Sequence, residues 1–190
     1  MANRLTKITT RTGDNGTTGL GDGTRIRKDA LRVEVLGEID ELNSAIGVIL
    51  SEPLGEDFRR YLTVIQNHLF DLGGEICIPG YQAIALQHVA YLDECSSALN
   101  ANLPPLKEFI LPGGCRAAAL VHMARAVARR AERSLVALVN EASESVSAES
   151  IQYLNRLSDF LFILARSVNR AAGVAEPFWQ RECGLKAQTA

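Results

Sequence analysis

Residues 154–168 read L-N-R-L-S-D-F-L-F-I-L-A-R-S-V. Leu154, Leu157, Leu161, Leu164 and Val168 recur at intervals of 3 and 4, the period of a helix that buries one face. The stretch ends near Gly173, a residue suited to stopping a helix, and begins after a Ser/Glu run at 143–150 whose Ser147 is a candidate N-cap. Moving toward the N-terminus, the same period returns four times. Leu120, Ala124, Val127, Ala131 and Leu138 mark one stripe, and Leu86, Val89, Leu92 and Leu99 a weaker one ahead of Pro104-Pro105. Phe58, Leu62, Ile65, Leu69, Leu72 and Ile76 form another, stopped by Pro79-Gly80. Val35, Ile39, Leu42, Ile46 and Ile49 form the first, with Asp29 as its expected N-cap. Five helices of about 15 to 25 residues joined by shortish loops make an all-α, up-and-down bundle.

At 190 residues the chain suits one domain, which buries roughly 70% of its unfolded surface without disulfides or metal. It divides into an N-terminal segment 1–28, a helical bundle 29–173 and a C-terminal tail 174–190. No apolar run reaches the ~18 residues of a membrane span, and the N-terminus carries neither a signal core nor a transit peptide, so a cytoplasmic location is expected. A net charge of −2 argues against a nucleic-acid binder, and any anion site must be local. Cys77, Cys95, Cys115 and Cys183 are far apart and read as free thiols, and His68, His88 and His122 read as satisfied helix residues.

Two stretches break the helical period. Residues 9–28 hold five glycines, six threonines and four basic residues in twenty, the composition of a phosphate cradle or of a flexible tail. There is no P-loop order and no dinucleotide fingerprint. The second stretch is F-I-L-P-G-G at 109–114. Helical spacing then gathers polar residues: His122, Arg125, Arg129 and Glu132 on one helix, Asn155, Asp159, Phe162 and Arg166 on another, and Gly37, Asp40, Ser44 and Gly47 on a third. Such stripes imply a polar groove or a subunit interface. By charge pattern alone Arg130 and Arg133 belong to a solvated face.

The motifs T-R-T-G-D-N-G-T-T-G-L at 10–20, R-I-R-K-D at 25–29, G-E-I-D-E-L-N-S-A-I-G at 37–47, F-I-L-P-G-G at 109–114, the run 115–133 and the run 154–166 resemble the PduO-type ATP:cob(I)alamin adenosyltransferases. The resemblance implies transfer of the 5′-deoxyadenosyl group of ATP to the cobalt of reduced cobalamin, with release of triphosphate. It implies ATP, Mg2+ and cob(I)alamin as the bound species and assigns no particular side chain as a metal ligand. Thr10, Arg11, Thr12, Gly13, Thr18, Gly19 and Lys28 would wrap the nucleotide, completed by Arg129, Arg130, Glu132, Arg133 and Asn155. Arg129 and Phe109 would act in the reaction, Phe109 and Phe162 would lie against the corrin, and Asp40 would pair with Arg125 across a subunit boundary. The implied assembly is a homotrimer with active sites between subunits, served by a cob(II)alamin reductase and an adenosylcobalamin-dependent enzyme. The rival readings are an all-helical nucleotide hydrolase and a non-enzymatic corrinoid or nucleotide carrier.

Overall fold

The computed structural model describes residues 9–142, 146–181 and 183. Five helices are present: α1 Leu31–Leu50, α2 Glu56–Cys77, α3 Leu86–Asn100, α4 Arg116–Ala142 and α5 Ala148–Ala171. They are preceded by a short antiparallel hairpin, β1 Thr17–Gly19 paired with β2 Arg25–Arg27, in which Thr18 faces Ile26. The hairpin escaped the periodicity argument because each strand is only three residues long.

In the bundle α2 packs on α1, α1 on α4, α4 on α5 and α5 on α3. Rings close the circle: Tyr61 of α2 meets Phe160 of α5 edge to face, and His68 of α2 meets His88 and Tyr91 of α3 and Tyr153 of α5. The expected α5 stripe is buried in full, and Tyr153, Phe160 and Ala165 widen it. Helix α4 lies between α1 and α5 and so buries two flanks. Its core is Ala117, Ala118, Val121, Ala124, Ala128, Ala131, Leu135 and Leu138, while Leu120 and Val127 of the expected stripe are only half-buried. A single apolar stripe describes a helix with one packed face, which α4 is not.

The helix starts divide. Ser147 caps α5 as expected, its side chain accepting from the Ser150 N–H. Asp29 does not cap α1: the helix begins after Ala30 with no side-chain cap, because the Asp29 carboxylate is held by Arg27 at 2.5 and 2.8 Å. Of the Ser/Glu run, residues 143–145 lie outside the described residues.

One buried carboxylate locks the end of the bundle where α2 stops and α5 starts. Glu75, 2% exposed, accepts from the N–H groups of Ala83, Ile84 and Ser147 and from the hydroxyls of Ser147 and Ser150. Burial alone would raise its pKa, but these hydrogen bonds outweigh burial and hold it below the usual carboxylate value.

Candidate functional site

Helices α4 and α5 run antiparallel, His122 meeting the Phe162 ring while Glu132, ten residues later, meets Asn155. Two clefts open along α5, the first shared with α4 and the second shared with the loop that precedes α4. The first, about 330 Å³, is lined by Arg129, Glu132, Arg133, Val136 and Asn155. In it the Asn155 side-chain amide donates to Glu132 at 2.9 Å, and Arg133 donates to the Arg129 carbonyl at 2.9 Å. The Arg129 guanidinium is exposed, a donor directed at solvent. The second cleft, about 320 Å³, is lined by residues 106–110 and Phe162. Phe109 stands 77% exposed at its rim. Asn155 and Phe162 are seven residues apart and thus share a face of α5, separated by about 10 Å at 1.5 Å per residue. A cationic cleft and an aromatic cleft therefore lie side by side.

Arg130 does not join the cationic cleft within the chain. It reaches the other way, ion-pairing with Glu38 at 3.2 Å and with Glu41 of α1, so the expected solvated cation is instead an α1–α4 tie. Arg125 and Asp40 are not paired within the chain either. Arg125 is partly buried on α4, and its Nε has no partner among the described residues. Burial, then the neighbouring charge of Arg129, lowers its pKa. Asp40 is exposed in a groove of α1 and α2 that Phe70 and Tyr81 also line.

His122 differs from its expectation. It is 4% exposed, and neither ring nitrogen has a partner among the described residues. Burial, then Arg125, holds its pKa down, with Glu176 opposing in part. The imidazole is therefore neutral against Phe162 at neutral pH.

The N-terminal residues are held by their own contacts. Arg25 donates to the carbonyls of Thr12 and Thr17 and to the Thr17 hydroxyl, so its charge staples the loop instead of standing free for an anion. Lys28 lies over Gly13, where an added Cβ would come within 3.1 Å of its Nζ. Thr10 and Thr12 share a hydroxyl hydrogen bond of 3.0 Å, and Arg11 between them takes φ 60°, a left-handed backbone that costs a non-glycine residue free energy. Thr18 and Gly19 lie on β1. The hairpin is anchored by Gly21, whose N–H donates to Cys77 at 2.9 Å and whose missing side chain makes room for Ile78. Among the described residues, no hydrogen bond or cleft lining joins residues 10–28 to Arg129, Glu132 or Asn155.

The sequence reading left the last segment as a tail. Its residues 177–179 run antiparallel to 109–111: the Leu111 N–H donates to Pro177, the Trp179 N–H donates to the Phe109 carbonyl, and Ile110 bridges Phe178. Pro112-Gly113-Gly114 turns the chain into α4. Gly114, at φ 99°, has the Asn169 side chain where a Cβ would stand, and that amide accepts from Cys115 and donates to Gly113. Phe178 and Trp179 carried no helical period, and their alternation is too short to read as a strand.

A family profile described as cobalamin adenosyltransferase matches residues 8–168. The chain is 57% identical over 183 residues to a cobalamin adenosyltransferase of Cupriavidus metallidurans, covering 96% of this chain and 98% of that one. This chain belongs to the cobalamin adenosyltransferase family. A corrinoid adenosyltransferase of Bacillus subtilis is 45% identical over 182 residues, covering 92% of this chain and 93% of that one. Among solved structures, a variant PduO-type ATP:corrinoid adenosyltransferase from Lactobacillus reuteri complexed with cobalamin and ATP superposes with a TM-score of 0.87 at 32% identity, over 92% of this chain and all of that one. Family members of this kind are transferases, and the adjoining cationic and aromatic clefts of α4 and α5 suit a nucleotide and a macrocycle.

Proposed function

We propose that the protein is an ATP:cob(I)alamin adenosyltransferase, moving the 5′-deoxyadenosyl group of ATP to the cobalt of cob(I)alamin and releasing triphosphate. The observation that carries this reading is the placement of an arginine-lined cleft and an aromatic one along the same helix, α5, in a member of the cobalamin adenosyltransferase family. Reduced cobalt is a strong nucleophile, so attack on C5′ needs no general base. The protein must align the two reactants and stabilise charge growing on the departing triphosphate. Arg129 and Arg133 supply the donors, Asn155 and Glu132 fix the cleft's shape, and Lys28 with the threonines of residues 10–18 closes over the phosphates. Glu132 is the one carboxylate lining the cleft, and no cluster of three His, Cys, Asp or Glu side chains occurs among the described residues. That donor set fits a magnesium ion carried mainly by the triphosphate, which would add positive charge there.

The site is shared between subunits of a homotrimer. Arg125 of α4 is partly buried with an Nε lacking a partner among the described residues, and Asp40 stands exposed in the groove of α1 and α2. A surface pair on two different flanks makes a head-to-tail contact, which closes into a ring when copies repeat it. The same contact would bring one subunit's residues 10–28 to the next subunit's Arg129, a juxtaposition absent within the chain. Phe109 and Phe162 lie against the corrin, and Phe109 keeps its axial base off cobalt, which makes cob(II)alamin easier to reduce. A separate reductase would supply the electron, an adenosylcobalamin-dependent enzyme would take the product, and the reaction would run in the cytoplasm.

The test is an anaerobic assay that follows the cob(I)alamin spectrum with ATP and measures triphosphate. Loss of the spectrum with stoichiometric triphosphate is expected. Phosphate or pyrophosphate release without corrinoid would establish a hydrolase instead, and binding without product a carrier.

A further inference from the structure

Arg166 is 4% exposed on α5 and holds two chain segments at once. Its Nε and Nη2 donate to the two carboxylate oxygens of Glu176 at 2.9 and 3.3 Å, and Nη2 also donates to the Pro104 carbonyl at 2.9 Å. Pro104 opens the loop that carries Phe109. Glu176 opens the segment whose next residues pair with Phe109, Ile110 and Leu111. A planar guanidinium gripping both carboxylate oxygens fixes direction as well as distance. The Phe109 loop and the segment paired with it are therefore both tied to one buried side chain that lines neither cleft.

We propose that Arg166 and Glu176 form a clasp that seats residues 176–179 as a strap along the Phe109 loop, and that this clasp is a positioning device for the corrinoid half-site. The proposal rests on the function given above. Neither residue touches the reacting atoms. Their role is to hold Phe109 where it excludes an axial ligand, a demand of the reduction step more than of nucleophilic attack.

Trp179 is the chain's only tryptophan and sits on the strap, so it reports its seating directly. Glu176→Gln keeps the side chain's size and loses its charge. In that variant, with helical content unchanged by circular dichroism, iodide should quench Trp179 fluorescence more efficiently than in wild type. The four-coordinate cob(II)alamin signal in electron paramagnetic resonance with ATP should fall below that of wild type, while the KM for ATP stays unchanged. Glu176→Asp, charged but shorter, should recover part of both readouts. Unchanged quenching overturns the clasp, and raised quenching with a full four-coordinate signal overturns its role in reduction. A wild type that forms no adenosylcobalamin overturns the functional reading and that role with it. The quenching measurement then still decides whether the clasp seats the strap.

Discussion

Arg129 and Arg130 are chain neighbours with opposite tasks, because successive residues on a helix point about 100° apart. Arg130 is occupied by Glu38 and Glu41, whereas Arg129 opens onto the cleft with Asn155. Removing one preorganised donor to a developing charge costs about 3 kcal/mol, or on the order of a hundredfold in rate. Arg129→Ala should therefore fold normally and lose about that much kcat with ATP saturating, measured as triphosphate release. Arg130→Ala should lose stability first, with a smaller effect on kcat. The sequence made the first arginine legible through its spacing from Arg125 and Glu132. It could not separate the second, because which acidic residues face Arg130 depends on how α1 is laid against α4.

Glu75 is the residue that the sequence concealed. An isolated glutamate late in an apolar stripe carries no signal, and the donors it collects come from positions 83–84 and 147–150. Because its folded pKa lies below its unfolded one, the stability it contributes is present above the unfolded value near 4.5 and is lost as pH falls through the folded value. Glu75→Gln should lower stability at neutral pH by about 3 kcal/mol, since buried donors lose a charged acceptor. The wild type's denaturant midpoint should fall as pH drops below about 4.5, and the variant's more shallowly.

At the scale of elements, the helices were legible because each buries at least one face at the helical period. The capping of α5 by Ser147 was legible for the same local reason, and the failed cap at Asp29 was not, since it turned on competition from Arg27. The strap along residues 109–111 depends on a pairing between segments about 68 residues apart in the chain, for which local pattern holds no information. Phe109 sits on the loop that precedes α4. Its ring is 77% exposed, so truncation should cost the bundle little. Phe109→Ala should melt near wild type and adenosylate chemically prepared cob(I)alamin at a good rate, but work much more slowly from cob(II)alamin plus reductant. Equal slowing from both starting states would move the axial-ligand role to another residue, Phe162 first.

For the whole molecule, the unmatched groups are divided between two flanks. In the proposed trimer, Asp40→Arg and Arg125→Asp should each weaken assembly, because removing one member of a partly buried pair commonly costs about 3 kcal/mol or more, and the double swap should recover part of the loss. Sedimentation at micromolar concentration, alongside activity, reads the result. A fully active monomer would refute the shared site. Among the described residues no helix is long and apolar enough to cross a membrane. Acid should also act on the whole fold through His122 and His68. Burial lowers both pKa values, assisted at His122 by Arg125 and at His68 by His88, so the unfolded chain binds protons first. Stability should decline as pH drops below about 6.5, and His122→Phe should blunt that decline.

The alanines of α4 have an effect on how the protein tolerates change. Ala118, Ala124, Ala128 and Ala131 are fully buried where α4 passes between α1 and α5, and the same helix carries the exposed Arg129 and the half-buried Arg125. An added methylene there has no void to enter and costs about 1–3 kcal/mol as the neighbouring helices shift. Small rotations of α4 swing its arginines by more than the tolerance of an aligned displacement. Substitutions at these alanines should therefore look, in a survey of variants scored by activity, like damage to the catalytic face, although none of them reaches a substrate. Alleles at Ala128 or Ala131 would be told apart from true site alleles by heat sensitivity, since restoring the packing at low temperature should restore turnover.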